Sequence, residues 1–161
     1  MKQLFLLPCA LLAFSAVNAQ KTASGLEAMV NDDLAALNVH FDGLMRFTID
    51  KRDRLVADHL INGSSQRTDM AYVEFLDAST CAYSAEENQL ILQCQDPRSK
   101  CIDKEIKGKG TVSPTGRLSM ALPATDAKGE KARELLVRLV EHKQDAQFSR
   151  LAEANTRERK N

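Results

Sequence analysis

The chain predicts an α+β domain: about seven antiparallel strands curled into a barrel, capped by a C-terminal amphipathic helix, with a short helix ahead of them. Three observations predict it. From Leu44 to Leu122, short β-rich runs alternate with polar turns at the spacing of an antiparallel sheet. Beyond Pro123 the apolar period changes to three and four residues, through Ala132, Leu135, Leu136, Leu139 and Val140. Asn62-Gly63 is the strongest short hairpin signal, because both residues tolerate positive φ.

The first twenty residues, MKQLFLLPCALLAFSAVNAQ, form a different unit. Lys2 opens it, Leu4 to Phe14 are apolar, and Val17 and Ala19 are small residues before an expected cut ahead of Gln20. That layout is a cleaved secretory signal, residues 1–19. The apolar block falls short of the roughly 20 residues needed to span a bilayer. Pro8 directly before Cys9 argues against a lipoprotein signal. The mature protein is expected to be exported from a bacterial cell, periplasmic or secreted, with no transmembrane segment after cleavage.

Residues 20–37 are a lead and a short helix, with Ser24 as a cap and an approximate stripe of Leu26, Met29, Val30, Leu34 and Leu37. Asp32 and Asp33 are expected on its polar side. The domain proper is 38–150. Its strands are expected at 44–50, 55–61, 67–77, 80–84, 89–95, 101–107 and 117–122. Turns fall at Lys51-Arg52-Asp53-Arg54, Asn62-Gly63, Ala85-Glu86-Glu87-Asn88, Gly108-Lys109-Gly110 and Pro114-Thr115-Gly116. Thr125 or Asp126 caps the final helix, which Phe148 and Leu151 extend. Residues 151–161 are expected as a polar tail. Seven such strands do not stay flat and edge-free, so they curl into a barrel or two packed sheets. The last helix buries its leucines by closing an open end of the curl.

Cleavage leaves about 140 residues, enough for one domain. Losing Lys2 turns a balance of 22 basic and 22 acidic residues into a net charge near −1. Such a chain has no global attraction to nucleic acid or anionic lipid. Cys81, Cys94 and Cys101 remain, an odd number in a compartment that permits disulfides. Cys94 and Cys101 flank a polar segment that reads as a hairpin loop, which would set them across neighbouring strands. Cys81 is then the free thiol. The competing pair is Cys81–Cys94, across the preceding hairpin. The cysteines have neither a nearby histidine nor CxxC spacing, so no metal and no cofactor are expected.

The order of elements resembles the pleckstrin-homology-like fold, as found in exported bacterial proteins carrying such a domain. The likeness rests on Leu37-Asn38-Val39-His40-Phe41, on the segment Gln89-Leu90-Ile91-Leu92-Gln93-Cys94 with Lys100-Cys101-Ile102, and on the helix Lys131–Lys143; it covers roughly residues 37–148. It implies a non-enzymatic scaffold that binds a protein or peptide. Phosphoinositide-binding members cluster basic residues between their first two strands. Here Lys51, Arg52 and Arg54 stand there with Asp50 and Asp53 among them. An exported protein does not meet cytosolic phosphoinositides, and these charges read as a solvated turn.

The chemistry-bearing residues do not assemble into a known motif. His40, His59 and His142 lie in three different elements, none beside a nucleophile motif. Asp58 and His59 are neighbours in a strand and point to opposite faces. Glu86-Glu87 and Asp32-Asp33 do not face each other across a substrate. The local basic excess, Arg98, Lys100, Lys104, Lys107 and Lys109, is a candidate anion or partner patch, diluted by Asp96, Asp103 and Glu105. Lysines of this kind also keep an edge strand from aggregating. The alternative function is a small periplasmic enzyme or ligand carrier on a cone-shaped nuclear-transport-factor-2-like fold. A deep pocket lined by His59 with a carboxylate would favour it; a long helix at the C-terminus favours the binding scaffold.

Overall fold

The computed structural model describes residues 23–159. The export signal expected at 1–19 lies outside the described residues. Helix α1, Ala23–His40, leads into eight antiparallel strands and a long helix α2, Glu130–Glu158. The strands form two sheets. The larger runs β1 (Met45–Ile49), β2 (Arg54–Ile61), β3 (Ser64–Tyr72), β6 (Ile102–Ile106), β7 (Val112–Thr115). The smaller runs β4 (Leu76–Ser84), β5 (Gln89–Cys94), β8 (Arg117–Ala121). No strand ladder joins one sheet to the other among the described residues, so the expected barrel is not closed.

The two sheets are nevertheless linked by three chain crossings. β3 turns through a single 3-10 turn, Val73–Phe75, and continues as β4 in the other sheet. The loop 95–101 carries the chain back from β5 to β6. β7 passes into β8 at Gly116. The three crossings lie side by side. Tyr72 N–H donates to Cys101 O, Gln95 N–H to Phe75 O and Cys94 N–H to Gly116 O, at 2.8–3.0 Å. A Cβ on Gly116 would stand 2.8 Å from the Ser99 carbonyl oxygen, closer than side chains tolerate, so the corner requires glycine here. Such corner strands let a sheet fold over on itself around one core.

Several expectations change at this corner. The run 67–77 is not one strand but the end of β3, the turn and the start of β4. Pro114-Thr115 is not a turn but part of β7, a short edge strand where a missing N–H is tolerated. The Cys94–Cys101 disulfide forms, with an S–S distance of 2.06 Å and Cα atoms 6.0 Å apart. It does not cross a hairpin, however, because β5 and β6 belong to different sheets. Among the described residues Cys81 is the free cysteine, and it is buried.

The β2–β3 turn follows its sequence: Asn62 and Gly63 take φ of 52° and 76°, and Ile61 pairs with Ser64. The β1–β2 turn is less solvated than its charges suggest. Asp50 Oδ1 accepts the Arg52 and Arg54 N–H groups, and Arg54 Nε donates to Asp50 Oδ2 at 2.8 Å. Asp53 binds Lys143 at 3.1 Å and Arg150 at 2.8 Å, both on α2.

The core lies between the sheets and the helices. Phe41, Phe47, Leu55, Leu76, Leu90, Leu92, Ile102, Leu118 and Met120 are all essentially inaccessible. Phe41 meets Phe47 edge-on at 5.2 Å. The predicted α2 stripe, Ala132, Leu135, Leu136, Leu139 and Val140, is buried in the same cluster. Asp126 Oδ2 accepts the Ala132 N–H at 2.8 Å and caps the first turn of α2. The helix continues through Glu158, so residues 151–158 are helical, with 151–156 and 158 exposed, rather than a separate polar tail.

Helix α1 corrects a further expectation. Asp33 is not on a polar face. It is 3% exposed, in register with Leu26, Val30 and Leu37 on the seam against α2. There it accepts Arg138 Nε at 2.5 Å and binds His142 Nδ1 at 2.6 Å.

Candidate functional site

The corner where the chain crosses between sheets carries an open hollow of about 430 Å³. Its lining comes from two crossings: Tyr72 and Phe75 from the β3–β4 turn, and Gln95, Asp96, Ser99, Lys100 and Cys101 from the disulfide-closed loop. Local chemistry fixes each part. Asp96-Pro97-Arg98-Ser99 is a β-turn, with Pro97 presetting φ, Ser99 N–H donating to Asp96 O, and Asp96 Oδ1 accepting the Arg98 N–H. Gln95 Nε2 donates to the carbonyls of Glu74 and Leu76, straddling the 3-10 turn. The Arg54 guanidinium stacks 5.5 Å over the Tyr72 ring and is itself held by Asp50.

Phe75 is what that scaffold leaves uncovered. The residue is 53% exposed although it sits in a tightly bonded turn. A large aromatic held open beside a cation, Lys100, and a carboxylate, Asp96, offers one apolar contact and two charged ones. Such a mix suits a peptide segment: rigid aromatic area gives affinity at low entropic cost, and the polar rim orients the chain.

The candidate basic patch divides. Arg98 and Lys100 stand at this corner, and Arg98 is almost fully exposed with Asp96 3.8 Å away. Lys107 and Lys109 lie beyond the other end of β6, a strand spanning about 15 Å at roughly 3.3 Å per residue. Lys107 there meets Glu105 at 3.8 Å. Lys104 lies between them, directly opposite Asp69 in register.

Each histidine has an aspartate partner. His40 and Asp126, 3.0 Å apart, tie the end of α1 to the cap of α2. His142 ties α2 to Asp33 of α1. His59 and Asp69, 3.0 Å apart, join β2 to β3. Asp58, on the opposite face from His59, takes Arg46, Ser65 and Thr68 instead. Spacing along the chain carried no signal for these pairs, because their partners are 10 to 109 residues away. His59 does not line the corner hollow, nor a second cavity at Asp53, Glu74, Gln147, Arg150 and Leu151, nor a third between α1 and α2.

Burial pushes the Cys81 thiol up to about 11, leaving it a small buried hydrophobe rather than a nucleophile. Glu87 pairs with Arg117 and does not face a second carboxylate. Among the described residues, no group of three or more His, Cys, Asp or Glu is placed to hold a metal ion. Nor is any described helix long and apolar enough to cross a membrane.

No protein-family model, curated protein or solved structure matches this chain.

Proposed function

We propose that this chain is an exported, non-enzymatic binding domain that holds a segment of a protein or peptide in the hollow at the disulfide corner. The observation that carries this reading is Phe75, an exposed aromatic on the Val73–Phe75 turn, which packs beside the disulfide-closed loop that brings Lys100 and Asp96. A pleckstrin-homology-like origin is supported by a sheet bent over one core and by the long C-terminal helix. Export is supported by the disulfide, which persists in oxidising compartments, and by the layout of residues 1–19.

The test is amide NMR of the mature protein against a library of short peptides. Binding is expected to move the signals of Tyr72, Phe75 and residues 95–101, and Phe75→Ala to weaken it at least tenfold. Perturbations confined to other surfaces sink the assignment. Intact-mass analysis of the secreted protein tests export: a chain starting at Gln20 is expected, and one that keeps Met1 overturns it. The nuclear-transport-factor-2-like enzyme or carrier is the second reading: His59 pairs with the carboxylate of Asp69, though it lines none of the three cavities described. It would require small molecules to perturb His59 rather than the corner.

A further inference from the structure

Arg67 bridges the two sheets at the end of β3 away from the corner. Its Nη2 lies 2.6 Å from His59 Nε2, 2.8 Å from Asp69 Oδ2 and 2.7 Å from the Ser119 carbonyl oxygen on β8. One Nη2 carries two hydrogens, so it cannot donate to all three. His59 Nε2 is also 3.0 Å from Asp69 Oδ2. That nitrogen either accepts from Arg67 or donates to Asp69, and a proton decides which. With a neutral ring protonated on Nδ1, Nε2 takes an Arg67 hydrogen. With a protonated ring, Nε2–H turns to Asp69, and two cations stand 2.6 Å apart over one carboxylate.

The cluster has somewhere to go. Asp69 is fully buried, and its Oδ1 is a buried oxygen without a hydrogen-bond partner, as is the nitrogen Nε of Arg67. The side chains of His59 and Arg67 reach solvent at 17% and 26% exposure, so a proton can enter and the guanidinium can leave.

We propose that His59, Arg67 and Asp69 form a proton-operated latch: protonation of His59 pairs it with Asp69, expels Arg67, and frees the Ser119 carbonyl that ties β8 to β3. Once the ring is charged, the positive groups around Asp69 oppose one another, which favours release of Arg67. Lys104 of β6 stands opposite Asp69, and Arg117 of β8 binds the Ser119 hydroxyl while pairing with Glu87. β1 presents uncharged Met45 opposite His59, and Asp58 with Arg46 lies on the other face of these strands. Arg67 thus already binds Asp69, with Lys104 in register beside it, before a further positive charge is added on His59. Imidazole is the side chain whose ordinary titration lies between pH 5 and 8, the range an exported protein meets. The latch is independent of the hollow and stands whether or not peptides bind there.

The experiment is NMR of the mature protein from pH 8 to pH 5, resolving each histidine ring. Protonation of His59 is expected to shift the Ser119 carbonyl carbon and the Arg67 side-chain signals with one shared midpoint. Amide exchange in β8, corrected for its intrinsic pH dependence, is expected to rise at least tenfold. In His59→Gln, whose amide offers a permanent acceptor, these changes are expected to vanish. An unchanged Ser119 signal, a midpoint following His40 or His142, or a response surviving in His59→Gln overturns the latch. If His59→Gln fails to fold, the shared midpoint in the parent protein decides alone.

Discussion

Single carboxylates do much of the joining in this protein, and their protonation sets its response to acid. Burial raises the Asp126 carboxyl. Hydrogen bonds from the Ala132 N–H, His40 and the Lys131 N–H outweigh that and hold it below its ordinary value. Asp50, Asp53 and Asp58 follow the same logic, with Arg54, Lys143 and Thr68 as leading partners. A carboxylate lowered in the folded state stabilises the fold above its unfolded pKa of about 4. That stability is lost as pH falls through the lower folded value. Urea midpoints are therefore expected to fall steeply below about pH 4, and the fall is expected to be shallower in Asp126→Asn. Parallel curves for parent and variant would show that the cap contributes nothing to acid sensitivity. These pairings were not legible in the sequence. A carboxylate reads as solvated by default, and only the tertiary fold brings Lys143 or His40 to it.

Elements were legible where one period dominates. The α2 stripe and the Asn62-Gly63 hairpin were plain, because each follows from local geometry alone. Asp33 was misread because its seam position, three residues after Val30 and four before Leu37, carries a charge where an apolar residue is expected. β7 was missed because Pro114 and Gly116 carry turn chemistry while serving an edge strand and a sheet crossing. The α2 seam yields a sharp test. Leu136 and Leu139 are buried in the cluster shared by both sheets. Leu136→Asp or Leu139→Asp would bury a carboxylate without a counterion, which costs several kcal/mol against a domain stability of about 5–15 kcal/mol. Both variants are expected to lose their cooperative melting transition by circular dichroism. Parent-like melting in both would mean that α2 is not packed on the sheets. Exposed Phe148→Asp, on the same helix at 75% exposure, is expected to change little.

At the scale of the whole molecule, pairing of cysteines was legible but its meaning was not. A hairpin and a sheet-to-sheet crossing place two cysteines seven residues apart equally well. Only the switch of partners, β5 with β4 and β8 but β6 with β3 and β7, distinguishes them. The bond therefore fastens the corner at which the three crossings meet, instead of fixing the register of two strands. Chain entropy for so short a loop is worth about 2–3 kcal/mol. Cys94→Ser with Cys101→Ser is expected to lower unfolding stability by that amount, measured in denaturant, with the fold retained. On the proposed function, peptide binding is expected to weaken by more than that loss of stability. Cys101, Gln95 and Lys100 line the hollow, and their positions depend on the closed loop more than the distant core does. Peptide mapping without reductant, after alkylation of the native protein at pH 8, is expected to show Cys94 joined to Cys101 and Cys81 unmodified. Cys81 is 2% exposed, and burial pushes its thiol up to about 11, which keeps it protonated at that pH. A Cys81–Cys94 bond would place β4 and β5 in a different register at the corner and dismantle the hollow with it. Rapid alkylation of Cys81 would mean that α2 leaves β4 uncovered, since Arg133 Nε donates to the Cys81 carbonyl at 2.8 Å in the closed fold.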